Sequence, residues 1–185
     1  MPLRSALFAL AISLSCTTTA LADVPAASSA APVAALDRFA GAYTYVGGDM
    51  QKAALDVAID KAIEGMFFAV KPIARGKLHG KTEVKTRIGF AFAGGNITST
   101  ANGEAPATSA ANGTTATFKA GGDDLRLAQK LTADGHLVQS FAAPEGTRVN
   151  DYVLAADGKT MTVAVLITSS KLTHPLRYVL TYRKN

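Results

Sequence analysis

The sequence predicts a mainly β protein: an antiparallel up-and-down meander of about eight or nine strands, closing into a barrel or a curved half-barrel, with one amphipathic helix after the first strand. Three observations predict it. From Thr82 onward apolar residues recur with a period of two. Turn signals arrive about every 10 to 14 residues, among them Asp134-Gly135, Glu145-Gly146 and Asp157-Gly158. Only one stretch, around residues 50–68, carries a helical period, so the crossovers that parallel strands need have no place downstream. A meander that long curls and closes, which removes exposed edges.

The chain opens with a short basic start ending at Arg4, an apolar run from Ser5 to Ser15, and the small-x-small sequence Ala20-Leu21-Ala22. That order makes residues 1–22 a secretory signal peptide, cleaved before Asp23. The run is well short of the roughly 18 residues of a membrane span. Export to a periplasm or to the exterior is therefore expected. A lipoprotein anchored through Cys16 is the weaker alternative, because Ser13 stands where a lipobox has leucine. Residues 23–36 are rich in Ala, Pro and Ser and read as a flexible leader; residues 37–185 then form one domain. Cys16 is the only cysteine, so the processed chain has neither a disulfide nor a thiolate site.

Gly41 to Val46 is the first strand, with Tyr43 and Tyr45 on one face. Gly47-Gly48 breaks it and Asp49 is placed to cap the helix that follows. Leu55, Ile59, Ala62, Ile63 and Met66 form the apolar stripe of that helix, which should stop near residues 68–70 because Lys71 precedes Pro72. Lys71, Arg75, Lys77, Lys81, Lys85 and Arg87 follow, opposed only by Glu83, and read as a solvated loop leading into the outer face of a strand. Lys77, Lys81 and Lys85 are also candidates for a patch that meets anions or an anionic membrane surface. No aromatics interleave them, which argues against nucleic acid.

Val84, Thr86, Ile88, Phe90 and Phe92 alternate along the second strand, and Gly94-Gly95 turns the chain into Ile97–Ala101. Residues 102–113 read as a loop. Thr114–Lys119, Leu125–Leu131, Leu137–Phe141, Val149–Leu154, Met161–Ile167 and Leu176–Tyr182 complete the meander.

Strand, helical segment and unbroken meander, in that order, are similar to the fatty-acid-binding-protein and lipocalin group of barrels. Phe39-Ala40-Gly41-Ala42-Tyr43 resembles their opening F-x-G-x-W/Y pattern, whose aromatic ring plugs the barrel base, and Asn150-Asp151-Tyr152 resembles the T-D-Y triplet of lipocalins. The R-x-Y carboxylate clamp of fatty-acid-binding proteins is missing, since Arg177 is followed directly by Tyr178. The resemblance implies a ligand cavity.

Polar residues on apolar faces are the informative feature of the second half. Gln129 shares a face with Leu125, Leu127 and Leu131, Gln139 with Leu137 and Phe141, and Tyr178 and Tyr182 with Leu176 and Leu180. Buried amides and phenols must be hydrogen-bonded. Either they pair with one another in a dry core, or they orient the polar end of a ligand whose remainder lies against Phe90, Phe92, Phe118 and Phe141. The leading expectation is an exported binding protein for a small hydrophobic or amphipathic ligand. The alternative is a non-catalytic envelope or interaction protein with a filled barrel. His79, His136 and His174 lack metal-ligand spacing, and the chain carries no nucleophile elbow, Walker loop or zinc-protease motif, so no catalytic residue, metal or cofactor is assigned. Asn96 and Asn112 begin formal glycosylation sequons.

Overall fold

The computed structural model describes residues 35–120 and 123–185; the expected signal peptide, Cys16 and all but the last two residues of the expected leader lie outside them. Ten strands are formed: β1 (Gly41–Tyr45), β2 (Arg87–Ala93), β3 (Asn96–Ala101), β4 (Ala107–Ala110), β5 (Ala116–Ala120), β6 (Asp123–Leu131), β7 (Leu137–Ala143), β8 (Gly146–Leu154), β9 (Thr160–Ser169) and β10 (Leu176–Lys184). Two helices, α1 (Gly48–Ala62) and α2 (Lys71–Lys81), stand between β1 and β2. Every pairing is antiparallel, and the order is β4-β3-β2-β1-β10-β9-β8-β7-β6-β5.

First and last strands are neighbours, Tyr43 opposite Lys184. The seam therefore falls between β4 and the β5–β6 hairpin. It is partly stitched: Asn112 bridges Lys130, and the Gly113 N–H donates to the Gln129 carbonyl at 2.9 Å. The result is a nearly closed barrel.

Three expectations need correction. The strand count is ten, because β4 lies inside the stretch read as a loop. Its sequence, Ala-Thr-Ser-Ala, has too little apolar contrast to signal a strand, yet Ala107 and Ser109 are buried. The basic segment is not a loop but helix α2. Pro72 stops no helix here; it occupies the first turn of a new one, where its missing N–H costs nothing. Helix α1 accordingly ends at Ala62, and its N-cap is Gly47, with Asp49 in the first turn instead.

The F-x-G-x-Y segment closes the barrel base. Tyr43 is wholly buried, its hydroxyl donates to the Phe39 carbonyl at 3.0 Å, and its ring meets Phe90 edge-on. Gly41 has φ +124°, and a side chain there would press on the Lys184 stem. In turn Phe90 meets Tyr152 edge-on, with centroids 4.9 Å apart.

The other end is covered by the helices. Helix α1 is fastened: Leu55, Ile59 and Ala62 are buried, Gln51 brackets Thr181 with two bonds of 2.8 Å, and Thr173 donates to the Ala62 carbonyl. Helix α2 buries no residue and is held to α1 by the ion pair Arg75–Asp60 and by His79 beside Asp56 at 3.6 Å.

At the rim beneath them, β8 begins with Gly146, where a Cβ would lie 2.2 Å from the Thr168 carbonyl oxygen of β9. That obstacle is backbone, so Gly146→Ala must push the paired strands apart. We expect a destabilisation of about 1–3 kcal/mol in urea unfolding, with the helices and the barrel base otherwise intact.

Candidate functional site

The barrel interior is not filled. A cavity of about 830 Å³ runs from the rings of Phe90 and Tyr152 up to the underside of α2 and the β7–β8 and β9–β10 turns. Val163, Val165, Ile167 and Leu180 give it one apolar wall, and Val70, Ile73 and Leu78 contribute from the helical side. The size lies within the usual range for small-molecule sites.

Beside it runs a row with several polar members, and strand register brings them together. Tyr178, Val165, Asn150, Gln139 and Gln129 lie opposite one another across β10, β9, β8, β7 and β6, all on the inward face. The Gln129 amide donates to the Ile97 carbonyl at 2.9 Å and to Ser109 Oγ at 3.2 Å. Gln139 Nε2 donates to Gln129 Oε1 at 3.0 Å and to Ser99 Oγ at 2.7 Å. Gln139 Oε1 accepts from Asn150 Nδ2 at 3.0 Å and from the Tyr152 hydroxyl at 2.9 Å. Finally Asn150 Oδ1 accepts from Arg148 Nε at 2.9 Å. The chain of bonds thus runs from a backbone carbonyl to a cation.

Arg148 lines the cavity just inside its mouth. One of its terminal nitrogens donates to the Lys81 carbonyl, the last residue of α2, at 3.3 Å. Its other N–H groups have no protein acceptor among the described residues. Sequence reading missed Arg148 because the strand was started at Val149. Carrying the period of two backward from Tyr152 through Asn150 reaches it.

Of the residues expected from sequence, Phe90, Phe118, Gln139, Phe141 and Tyr182 line the cavity. Phe92, Gln129 and Tyr178 do not. Phe92 packs against the core away from the cavity, and Gln129 is wholly buried in the seam. Gln129 and Gln139 pair with each other, as a structural role requires. The Tyr182 hydroxyl donates to the Lys85 carbonyl at 3.0 Å. Tyr178 is buried with its hydroxyl unpartnered. Burial raises the pKa of Tyr178 and Tyr182 and pushes that of Tyr152 up to about 12, so all three phenols stay neutral at physiological pH.

Lys77, Lys81 and Lys85 line the mouth. Burial would depress the Lys85 ammonium, but Glu83 and Glu104, each 3.0 Å away, outweigh it and raise its pKa. Lys85 is thus committed to carboxylates, whereas Lys77 and Lys81 make no ion pair among the described residues. The histidines lie apart: His79 on α2, His136 beside Asp151 at the base, and His174 in the β9–β10 loop. No group of three or more His, Cys, Asp or Glu side chains is placed to hold a metal among the described residues.

The two phenols nearest the ladder should respond oppositely to loss of their hydroxyls. Tyr178→Phe removes an unsatisfied buried group and should leave Tm unchanged or raise it. Tyr152→Phe withdraws a donor from Gln139 and an acceptor from Asn150, and should cost about 1–3 kcal/mol by thermal or urea unfolding.

No protein-family model matches this chain, and neither does any curated protein. Among solved structures it is similar to the abundant heat soluble SAHS protein of Ramazzottius varieornatus, with a TM-score of 0.51 and 10% identity over 80% of this chain and 96% of that one. It is also similar to a Schistosoma mansoni fatty acid binding protein in complex with arachidonic acid, with a TM-score of 0.49 and 13% identity over 82% of this chain and 98% of that one. The likeness is one of fold: a nearly closed antiparallel barrel, here of ten strands among the described residues.

Proposed function

We propose that this protein is an exported carrier for a small amphipathic molecule with an anionic end. The observation that supports the reading is a cavity of about 830 Å³ with an apolar wall and, inside its mouth, an arginine whose outer N–H groups face no protein acceptor among the described residues. Burial of the ligand's apolar part supplies affinity, at roughly 25 cal/mol per Å² removed from water. Arg148 takes the anionic group, since a guanidinium remains charged and matches planar oxyanions with paired donors. The filled-barrel interaction protein that the sequence left open has no use for such a space.

A second observation extends the reading to the membrane surface. Phe67 and Phe68, 65% and 77% exposed, stack at the tip between the two helices, and Val70 and Ile73 continue the exposed apolar strip onto α2. Helix α2 carries Lys71, Arg75, Lys77 and Lys81 and no carboxylate. Apolar protrusions ringed by cations suit an anionic lipid surface, where each lysine near the headgroups contributes about 1 kcal/mol. In this reading the tip rests on the bilayer and the mouth opens beside it.

Native mass spectrometry of the protein from its own host tests the first reading. The expected result is a chain beginning at Asp23 that carries an extra mass lost on denaturation, with the extra mass gone or much reduced in Arg148→Leu. A mature chain that never carries or takes up an amphiphile overturns it. Cosedimentation with phosphatidylglycerol-containing vesicles tests the second. Binding should exceed that to pure phosphatidylcholine, fall several-fold in Phe67→Ser/Phe68→Ser, and fall again in Lys77→Glu/Lys81→Glu. Equal binding by all three proteins removes the membrane role.

A further inference from the structure

The polar ladder has a direction, and the direction has a consequence at Arg148. A carbonyl oxygen can only accept, so at Ile97 the Gln129 side chain must present its N–H₂. Gln129 therefore offers its oxygen to Gln139, which must answer with N–H₂. Gln139 in turn offers its oxygen to Asn150, which again must answer with N–H₂. Tyr152 enforces the same sense by donating to that Gln139 oxygen. Reversing any one amide would set oxygen against oxygen or N–H against N–H. Gln129, Gln139 and Asn150 are 0%, 3% and 5% exposed, so water does not rescue a reversed member. The last amide in the series must then show an oxygen, never an N–H₂, toward the cavity mouth. It is this Asn150 oxygen that holds Arg148 by Nε at 2.9 Å.

Nε bonded to the Asn150 oxygen leaves the two terminal nitrogens of the guanidinium to other partners. One of these reaches the end of α2 at the Lys81 carbonyl. The remaining donors have no protein acceptor among the described residues, on a side chain that lines the cavity.

We propose that Gln129, Gln139 and Asn150 are positioning residues: a one-way amide relay, anchored on the Ile97 carbonyl, that fixes Arg148 so that the cavity selects ligands carrying an anionic group. The inference rests on the reading of Arg148 as the anion-binding residue. The Ile97 carbonyl acts at a distance, through the polarity of three amides. The ladder's role in the seam lies at Gln129; its role in selection lies at Asn150, three strands from β4 through β6, β7 and β8.

A matched pair of fluorescent probes tests it: anilinonaphthalene sulfonate, and N-phenylnaphthylamine, which has the same rings without the sulfonate. The wild type should prefer the sulfonate, and Arg148→Leu should abolish the preference. Asn150→Leu, which leaves Gln139 and Tyr152 bonded to each other, should weaken sulfonate binding roughly tenfold with the neutral probe unchanged. If both probes weaken together in Asn150→Leu, the ladder is only structural and the proposal fails. If Arg148→Leu loses the preference while Asn150→Leu keeps it, the carrier reading stands and the relay falls. If the wild type binds neither probe, the anion-binding reading falls and takes the selection role with it.

A ligand-free measurement separates the relay from that reading. The Arg148 Nε–H should give a slowly exchanging signal in a ¹⁵N NMR spectrum of the wild type, assigned by its loss in Arg148→Leu. It should broaden or vanish in Asn150→Leu. Persistence of the signal unchanged in Asn150→Leu overturns the positioning role.

Discussion

Gln129 is the side chain on which the barrel's closure turns. The sheet's two end strands, β4 and β5, are not paired with each other, and among the described residues the backbone crosses the seam at the Asn112–Lys130 bridge and the Gly113–Gln129 bond. From β6, the Gln129 amide reaches across to β3 at Ile97 and to β4 at Ser109, replacing in side chains the ladder that the backbone lacks. An unpaired buried amide costs about 1–3 kcal/mol, so its bonds must all be met within the interior. They are met by Gln139, which depends on Asn150 and Tyr152 in the same way. Closing the barrel with a polar side chain thus commits a row of polar side chains behind it.

That row meets the requirement for placing a charge beside an apolar cavity. A half-buried guanidinium is held at a cavity's edge by acceptors for some of its donors, while the rest stay open to water or ligand. Asn150 supplies one acceptor and the C-terminal carbonyl of α2 another. Helix C-termini carry partial negative charge, so the second contact also suits a cation. On neighbouring β9, Val163, Val165 and Ile167 offer no competing acceptor in their side chains. A held cation and apolar side chains thus line one cavity, side by side on neighbouring strands.

The two helices divide the work of covering that space. Helix α1 completes the core with Leu55, Ile59 and Ala62 and is tied to β10 through Gln51. Helix α2 contributes surface: it buries nothing, leans on α1 through charged pairs, and carries its cations toward solvent. Elements with so few buried contacts occupy the low-stability end of a fold.

The strand meander, the apolar faces of its second half and the F-x-G-x-Y plug were legible because each is a local pattern; which faces turn inward was not. Alternation in Leu125 to Leu131 and in Leu176 to Tyr182 names the buried set whatever the strands pair with, and Gly41 and Tyr43 reveal a tight approach beside a buried ring. Helix α2 and strand β4 were not legible. Ala107–Ala110 is a strand only because β3 lies beside it, and Pro72 stops or starts a helix according to what the preceding turn does. The polar residues Gln129, Gln139 and Tyr178 were visible as misfits on apolar faces, but their fates differ, and the difference is tertiary. Two complete a directional network, while the third is buried without a partner among the described residues. The period of two from Tyr152 through Asn150 puts Arg148 on their face, but that this face borders a cavity is decided by the tertiary structure. A side chain's periodicity is set by its own strand; which atoms its polar end meets is set by strands far away in sequence, and hydrogen bonds are decided by those atoms.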